Sequence, residues 1–258
     1  MRLMKRILSA AAVLALSASL LVGCSSGTAS SVPVSASSAA ESTVSSVEET
    51  ASSAVDENEA AAAQLLNDLT GSYQELWPVI LADEYKQTWL DDCTALVGED
   101  NAEAAFEKLS SMVTGDVYGE DAVKAYANGG GAYFCGFTNS LAILTFDGET
   151  STISGTDKDG NVLFSHTYHY IGMEPVRGLY EFQSDDADSG EFTYFFLAPD
   201  TSAETYHIEF RYGSDADALS QYDAGVYAYW LASGISTDCD QTMIDNCIEL
   251  FCTENLAG

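Results

Sequence analysis

Positive charge is scarce in this chain of 258 residues: nine Lys and Arg stand against 40 Asp and Glu. Three of the nine, Arg2, Lys5 and Arg6, lie in the first six residues, so six serve the remaining chain. A protein that holds a phosphate backbone does so by displacing its counterions with Lys and Arg, so this composition excludes nucleic acid as a partner. It favours cations and keeps a protein soluble. Histidine is scarcer still, with only His166, His169 and His207. The common catalytic signatures are missing: Gly-x-Ser-x-Gly, His-Glu-x-x-His, a glycine-rich phosphate loop, and a Cys with a His at a recognisable spacing. Three histidines do not forbid a triad by count, but nothing nominates one, and no enzyme is expected.

What is present begins with an address. The basic start is followed by an apolar run from Ile7 to Val22 and ends on Leu21-Val22-Gly23-Cys24. This is the form of an export signal over 1–23, with an apolar part short for a bilayer span. Leu-Val-Gly-Cys resembles the lipobox of bacterial lipoproteins, which implies cleavage before Cys24, acylation of its thiol, a membrane attachment through that lipid and an extracytoplasmic location. Residues 24–59 are mostly Ser, Ala, Thr, Val and Glu with almost no large apolar side chain. Such a stretch cannot bury enough surface to offset the entropy of ordering and reads as a tether. Residues 60–258 remain, enough for one domain.

Apart from Cys24 there are five cysteines, Cys93, Cys135, Cys239, Cys247 and Cys252. Five is odd, so at least one thiol stays free or pairs outside the chain. On one predicted helix, Cys239 and Cys247 would be separated by about 12 Å of axial rise, beyond disulfide reach. An internal bridge is expected instead to join Cys93 or Cys135 to the C-terminal segment. No spacing matches a structural zinc motif.

The period of the apolar residues changes midway. Ala60–Asp68, Tyr73–Val97 and Ala102–Met112 read as helices, with a further turn over Asp121–Tyr126. After Gly129-Gly130-Gly131, short Tyr, Phe, Ile and Val runs recur near 132–137, 140–146, 149–154, 161–171, 176–183, 191–197, 205–212 and 225–232. About eight evenly punctuated strands predict a closed antiparallel barrel or a sandwich, in a mainly β protein with helices (α+β). A last helix carries Met243, Ile244, Cys247, Ile248 and Phe251 on one stripe, with Ser236 or Thr237 as its cap.

The segment Asp157-Lys158-Asp159-Gly160-Asn161 suggests a calcium loop at first sight. As an EF-hand it would need ligands at Gly155 and His166, and its flanks are strands, so a hairpin turn on Asp159-Gly160 is the better reading. His166 and His169 are three positions apart in a strand and therefore point to opposite faces, which argues against joint chelation. Along the later strand, Tyr206, Ile208, Phe210 and Tyr212 share one face, and His207, Glu209 and Arg211 the other, which could be solvent or lumen.

The order of motifs resembles a known family. Gly71-Ser72-Tyr73-Gln74-Glu75-Leu76-Trp77-Pro78 resembles the Gly-x-Trp-Gln-Ser-x-Tyr-Pro opening of the ZinT (YodA) family of exported zinc-binding proteins. Tyr168-His169-Tyr170-Ile171-Gly172 is similar to its Tyr-x-Tyr-x-Gly strand, Val176-Arg177-Gly178-Leu179-Tyr180-Glu181-Phe182 to its Val-Arg-Tyr-Leu-Phe-Glu, and Ile208-Glu209-Phe210 to its apolar-Gln-Phe. The resemblance spans roughly residues 65 to 250. It implies a lipocalin-like (calycin) barrel with accompanying helices, and zinc or another divalent cation held by three histidines at one mouth: one from a Ser-Asp-His triplet, two from a His-Phe-His strand.

Carried over by position, those three places fall on Gly213, Gly225 and Tyr227. A Tyr phenol is neutral near pH 7 and Gly has no side chain, so the inherited zinc site reads as degenerate. Two alternatives stay open. A migrated cation site could use Asp215, Asp217 and Asp223, with His207 a further weak candidate, a carboxylate set that suits calcium better than zinc, unless these are a solvated loop. Or a re-lined cup of Tyr212, Tyr222, Tyr227, Tyr229 and Trp230 could take a non-metal ligand, unless those rings are core.

Overall fold

The structure, a computed structural model, describes residues 57–127, 129–198 and 207–257. Cys24, the leader and most of the tether lie outside the described residues. No helix among the described residues is long and apolar enough to cross a membrane.

Eight strands close into one antiparallel barrel in chain order, each bonded to the next and the last to the first. They are β1 (Gly71–Glu75), β2 (Ile143–Asp147), β3 (Thr152–Thr156), β4 (Val162–Met173), β5 (Tyr180–Ser184), β6 (Tyr194–Leu197), β7 (His207–Gly213) and β8 (Ala232–Ser236). Alternation sets which side chains enter the lumen. Along β4, Phe164 and Tyr168 are buried while Ser165, Thr167 and His169 are exposed. The β3–β4 hairpin turns as expected at Gly160, at φ 82°, and the Asp157 carboxylate accepts the backbone N–H groups of Asp159 and Asn161. Gly155 is required by closeness, because a Cβ there would lie 2.4 Å from Leu141 Cδ1 and 2.5 Å from Phe164 Cε1.

Seven helices accompany the barrel among the described residues: α1 (57–68), α2 (Leu76–Ile80), α3 (Lys86–Val97), α4 (Glu99–Val113), α5 (Glu120–Ala125), α6 (Ala216–Leu219) and α7 (Gln241–Leu256). Two cores result. Helix α1 contributes Leu65 and Leu66 to the barrel core, which holds Phe146, Phe182, Phe195 and Phe210. The second core lies between α2, α3, α4, α7 and the outside of the barrel. Its stripes are Ala102, Ala105 and Leu109 on α4, and Ile244, Cys247, Ile248 and Cys252 on α7, at helical spacing. Trp89 anchors it, with Nε1–H donating to the Ile80 carbonyl at 2.7 Å.

The expected number of strands is observed, but two of the eight are different segments. The run 132–137 forms only isolated bridges through Phe134, and 225–231 is mostly turn. Their places are taken by β1, inside a stretch expected to be helical from Tyr73, and by β8. Tyr73 faces the core and packs edge-on against Phe146 at 5.7 Å, so tertiary pairing with β2 and β8 overrides the local pattern. The cap of α7 also differs: Ser236 ends β8 and Asp240 caps the helix, accepting the Met243 N–H. Cys239 therefore precedes the helix instead of lying on it.

Candidate functional site

Strand β7 delivers side chains to two environments. Ile208, Phe210 and Tyr212 enter the lumen. The opposite face is neither solvent nor lumen: His207 and Glu209 border a small space with Trp77, Cys247 and Phe251, beneath α2 and α7. Arg211, fully buried, lies under the loop that follows β7. Its guanidinium donates to the carbonyls of Leu219, Gln221 and Tyr227 and stacks 4.4 Å from the centre of the Tyr222 ring. Arg177 covers the other face of that ring at 4.2 Å. Burial pushes the Tyr222 phenol up to about 12, with the Glu174 carboxylate adding to it. One buried cation thus shapes the whole loop by collecting three carbonyls, one of them at the end of α6.

This loop carries the positions where the family resemblance places metal ligands. Gly213 ends β7 with the Tyr227 ring lying directly over it; a Cβ at 213 would sit 2.5 Å from Tyr227 Oη and 2.6 Å from Cζ. Tyr227 Oη donates to Glu191 Oε2 at 3.0 Å and accepts the Ser214 N–H at 3.3 Å, while Ser214 Oγ donates to Glu191 Oε1 at 3.0 Å. Gly225 is exposed, at φ 76°, a backbone conformation that disfavours any larger residue. Burial, reinforced by Glu191, raises the Tyr227 phenol above its ordinary value and keeps it protonated at neutral pH. These residues do not fit zinc: the phenol is neutral and already bonded, and two of the three positions have no side chain.

The remaining candidates are dispersed. Asp215 is the N-cap of α6, its carboxylate accepting the Ala218 N–H at 3.1 Å, and Asp217 and Asp223 are exposed on the same loop. Among the described residues, no three His, Cys, Asp or Glu side chains are grouped so as to hold a metal ion. His166 and His169 sit on opposite faces of β4, as their spacing requires. Each has its own carboxylate: His166 Nδ1 is 2.7 Å from Asp186 and His169 Nδ1 is 2.6 Å from Asp185.

The five aromatic residues assigned to a cup are built into the walls. Tyr212 is fully buried, its Oη accepting the Thr138 N–H at 2.6 Å and donating to the Thr138 carbonyl at 2.9 Å. Trp230 is also fully buried and donates from Nε1 to the Gly136 carbonyl at 2.9 Å. Tyr222 lies between the two arginines, and Tyr229, at φ 57°, packs edge-on against Tyr126. Phe192, Phe195 and Phe210 stack on Tyr212 at 5.3 to 5.9 Å, so rings fill the lumen at this level.

Open concave space lies beside the barrel. A cleft of about 340 Å³ is bounded by Trp77, Pro78 and Leu81 of α2 and its exit, by 113–115, and by Phe134, Cys135 and Gly136. It has one carboxylate, Glu75, whose Oε1 accepts the Phe137 N–H at 2.6 Å. Trp77 Nε1 is buried, and the group it approaches is the Cys135 thiol. Sequence reasoning overlooked Glu191, Arg211 and this cleft. Glu191 is one acidic residue among 40, and nothing local separates it from the rest. Arg211 was placed on the correct face of its strand, but only the returning loop turns that face into an interior.

Neither the protein-family models nor the curated proteins contain a match to this chain. Among solved structures, the chain is similar to the zinc(II)-bound ZinT-like domain of AdcA from Streptococcus pneumoniae, with 14% identity over 71% of this chain and 89% of that one, at a TM-score of 0.46. It is also similar to zinc(II)-bound AdcA from the same organism, with 16% identity over 75% of this chain and 35% of that one, at a TM-score of 0.40.

Proposed function

We propose that this chain is a lipid-anchored, extracytoplasmic, non-enzymatic binding protein of ZinT-like, metal-binding descent whose three-imidazole zinc site is no longer assembled. The supporting observation is the contact between Gly213 and Tyr227. Where the resemblance calls for imidazoles, a protonated phenol bonded to Glu191 and Ser214 lies over a glycine that has no room for a side chain. The leader ending at Cys24 supports the location, since an acyl chain there would hold the domain at the membrane through a tether of 24–59. Calorimetric titration of the chain with zinc, together with its metal content after purification, tests this reading. No stoichiometric binding tighter than the micromolar range is expected; submicromolar, one-to-one zinc binding overturns it. Replacing Cys24 with Ala is expected to move the protein from the membrane fraction to the soluble fraction, read by fractionation and immunoblot.

A second reading, a module for a non-metal ligand, has one observation in its favour, and it lies outside the Tyr and Trp cup. The cleft along α2 offers apolar walls and one carboxylate, a combination suited to a small amphipathic molecule. Quenching or a shift of Trp77 fluorescence by such a molecule, lost in Trp77→Phe, would favour it over the cation reading.

A further inference from the structure

The five described cysteines are all thiols in the structure, and their surroundings differ sharply. Cys239 is half-buried in the turn before α7. Cys135 has its sulfur 3.8 Å from the Tyr133 carbonyl, and Cys247 is buried on the face of α7 toward β7. Cys93 on α3 and Cys252 on α7 are both wholly inaccessible, and their sulfurs touch at 3.9 Å across the interface of the two helices. The two residues are 159 positions apart, so this contact is made by the fold and not by the local chain.

We propose that Cys93 and Cys252 are a disulfide-forming pair that ties α3 to α7 in the mature protein. The sulfurs have to close from 3.9 Å to the bonding distance of about 2.05 Å, between two helices already packed together. The co-reactant is a disulfide, either a small-molecule disulfide or an oxidised dithiol protein. Two S–H bonds of the pair and the donor's S–S bond break, while the Cys93–Cys252 bond and two donor S–H bonds form. Two electrons and two protons thus pass from the pair to the donor. The availability of such donors rests on the extracytoplasmic location proposed above.

The surroundings also set when the step occurs. Burial raises both thiols above their ordinary range, and the neighbouring Asp92 carboxylate pushes each further the same way, so a native thiolate is rare. Neither sulfur has a path for a donor. Exchange therefore belongs to folding, before α7 closes over α3, and the finished bond is shielded from reductants by the same packing.

The test uses the full chain, reduced, unfolded in denaturant and refolded in a mixture of reduced and oxidised glutathione. Free thiols are then alkylated under denaturing conditions and the peptides mapped by mass. The expected product is a Cys93 peptide joined to a Cys252 peptide, lighter than the two thiol peptides by two hydrogens, with Cys24, Cys135, Cys239 and Cys247 alkylated. Cys93→Ser and Cys252→Ser are each expected to leave the other thiol free and unlinked. Alkylation of both in the wild type, glutathione adducts on them, or a bridge to another cysteine overturns the proposal. Folded, reduced protein exposed to the same mixture is expected to form the link at least tenfold more slowly than refolding protein, and equal rates overturn the assignment to folding. Wild type refolded with reductant throughout, and so without the bridge, is expected to melt on the order of 10 °C below the linked wild type, with no such difference between Cys93→Ala/Cys252→Ala prepared in the same two ways. Equal melting temperatures for linked and unlinked wild type remove the claim that the bridge ties the helices.

Discussion

The lumen of the barrel and the layer beneath its helices are both apolar interiors, but they treat their polar atoms differently. In the lumen, Tyr212, Trp230 and Tyr168 each satisfy their polar atom with a backbone group, and at its mouth Tyr227 is held by Glu191 and Ser214. Beneath the helices, Asp92 Oδ2 is buried without a hydrogen-bond partner, and Cys93 lies against Cys252. Arg211 Nε, under the loop at the mouth, is also buried without a hydrogen-bond partner, so the contrast holds for the lumen itself, whose phenols and indole are already bonded and have no donor to spare for a ligand. The Cys93–Cys252 pair and the open cleft both lie on the helical side.

The largest way to disturb this arrangement is at Arg211, which holds the loop over the mouth. Arg211→Ala strands the carbonyls of Leu219, Gln221 and Tyr227 and is expected to cost about 3–5 kcal/mol in urea unfolding. Alkaline pH attacks the same matched phenols. Burial raises Tyr222 to about 12 and Tyr168 and Tyr212 higher, from an ordinary value of 10.0. The native state therefore favours their protonated forms. This stabilisation is complete below the unfolded pKa and declines as pH rises through 10 toward and beyond 12, so melting temperature should fall across that window while phenolate absorbance lags behind free tyrosine.

Smaller perturbations sharpen the comparison. Tyr212→Phe removes the hydroxyl that serves both groups of Thr138 and should cost about 1–3 kcal/mol. Gly213→Ala drives a methyl group into the Tyr227 ring and should cost about 1–3 kcal/mol by overpacking. In a Tyr227→Ala background most of that cost should disappear, as a double-mutant cycle would show. Asp92→Asn is the smallest change and has the opposite sign. Burial and the neighbouring Glu249, Asp245 and Asp91 raise this carboxyl, so its ionised form opposes folding. At neutral pH the variant should be more stable by a few tenths of a kcal/mol, since the group is partly solvated, and the gain should shrink in acid as the wild-type carboxyl protonates.

Some of this was legible in the residues and some was not. The β4 alternation, the Asp157–Gly160 turn and the stripe of α7 are local patterns, and the structure reproduces each of them. Strand β1 was not legible: Gly71–Glu75 precedes a helix directly, and five residues carry too little periodicity to reveal a change of period. Nor was β8, Ala232–Ser236, whose small side chains look like a turn until β1 and β7 pair with it on either side. The candidate site was legible as positions but not as contacts. Gly213, Gly225 and Tyr227 could be placed along the chain; the Tyr227 ring lying over Gly213 could not.

The sequence by itself determined the helix-rich first third, the strand-rich remainder with its antiparallel turns, and the opposite facing of His166 and His169, because backbone periodicity and turn chemistry act within a few residues. Only the tertiary structure decided what covers the outer face of β7, which aromatic rings fill the lumen, and which two of five thiols meet. Those outcomes depend on contacts between segments far apart in the chain, as between residues 159 positions apart at Cys93 and Cys252, and packing in three dimensions selects them where no local pattern can.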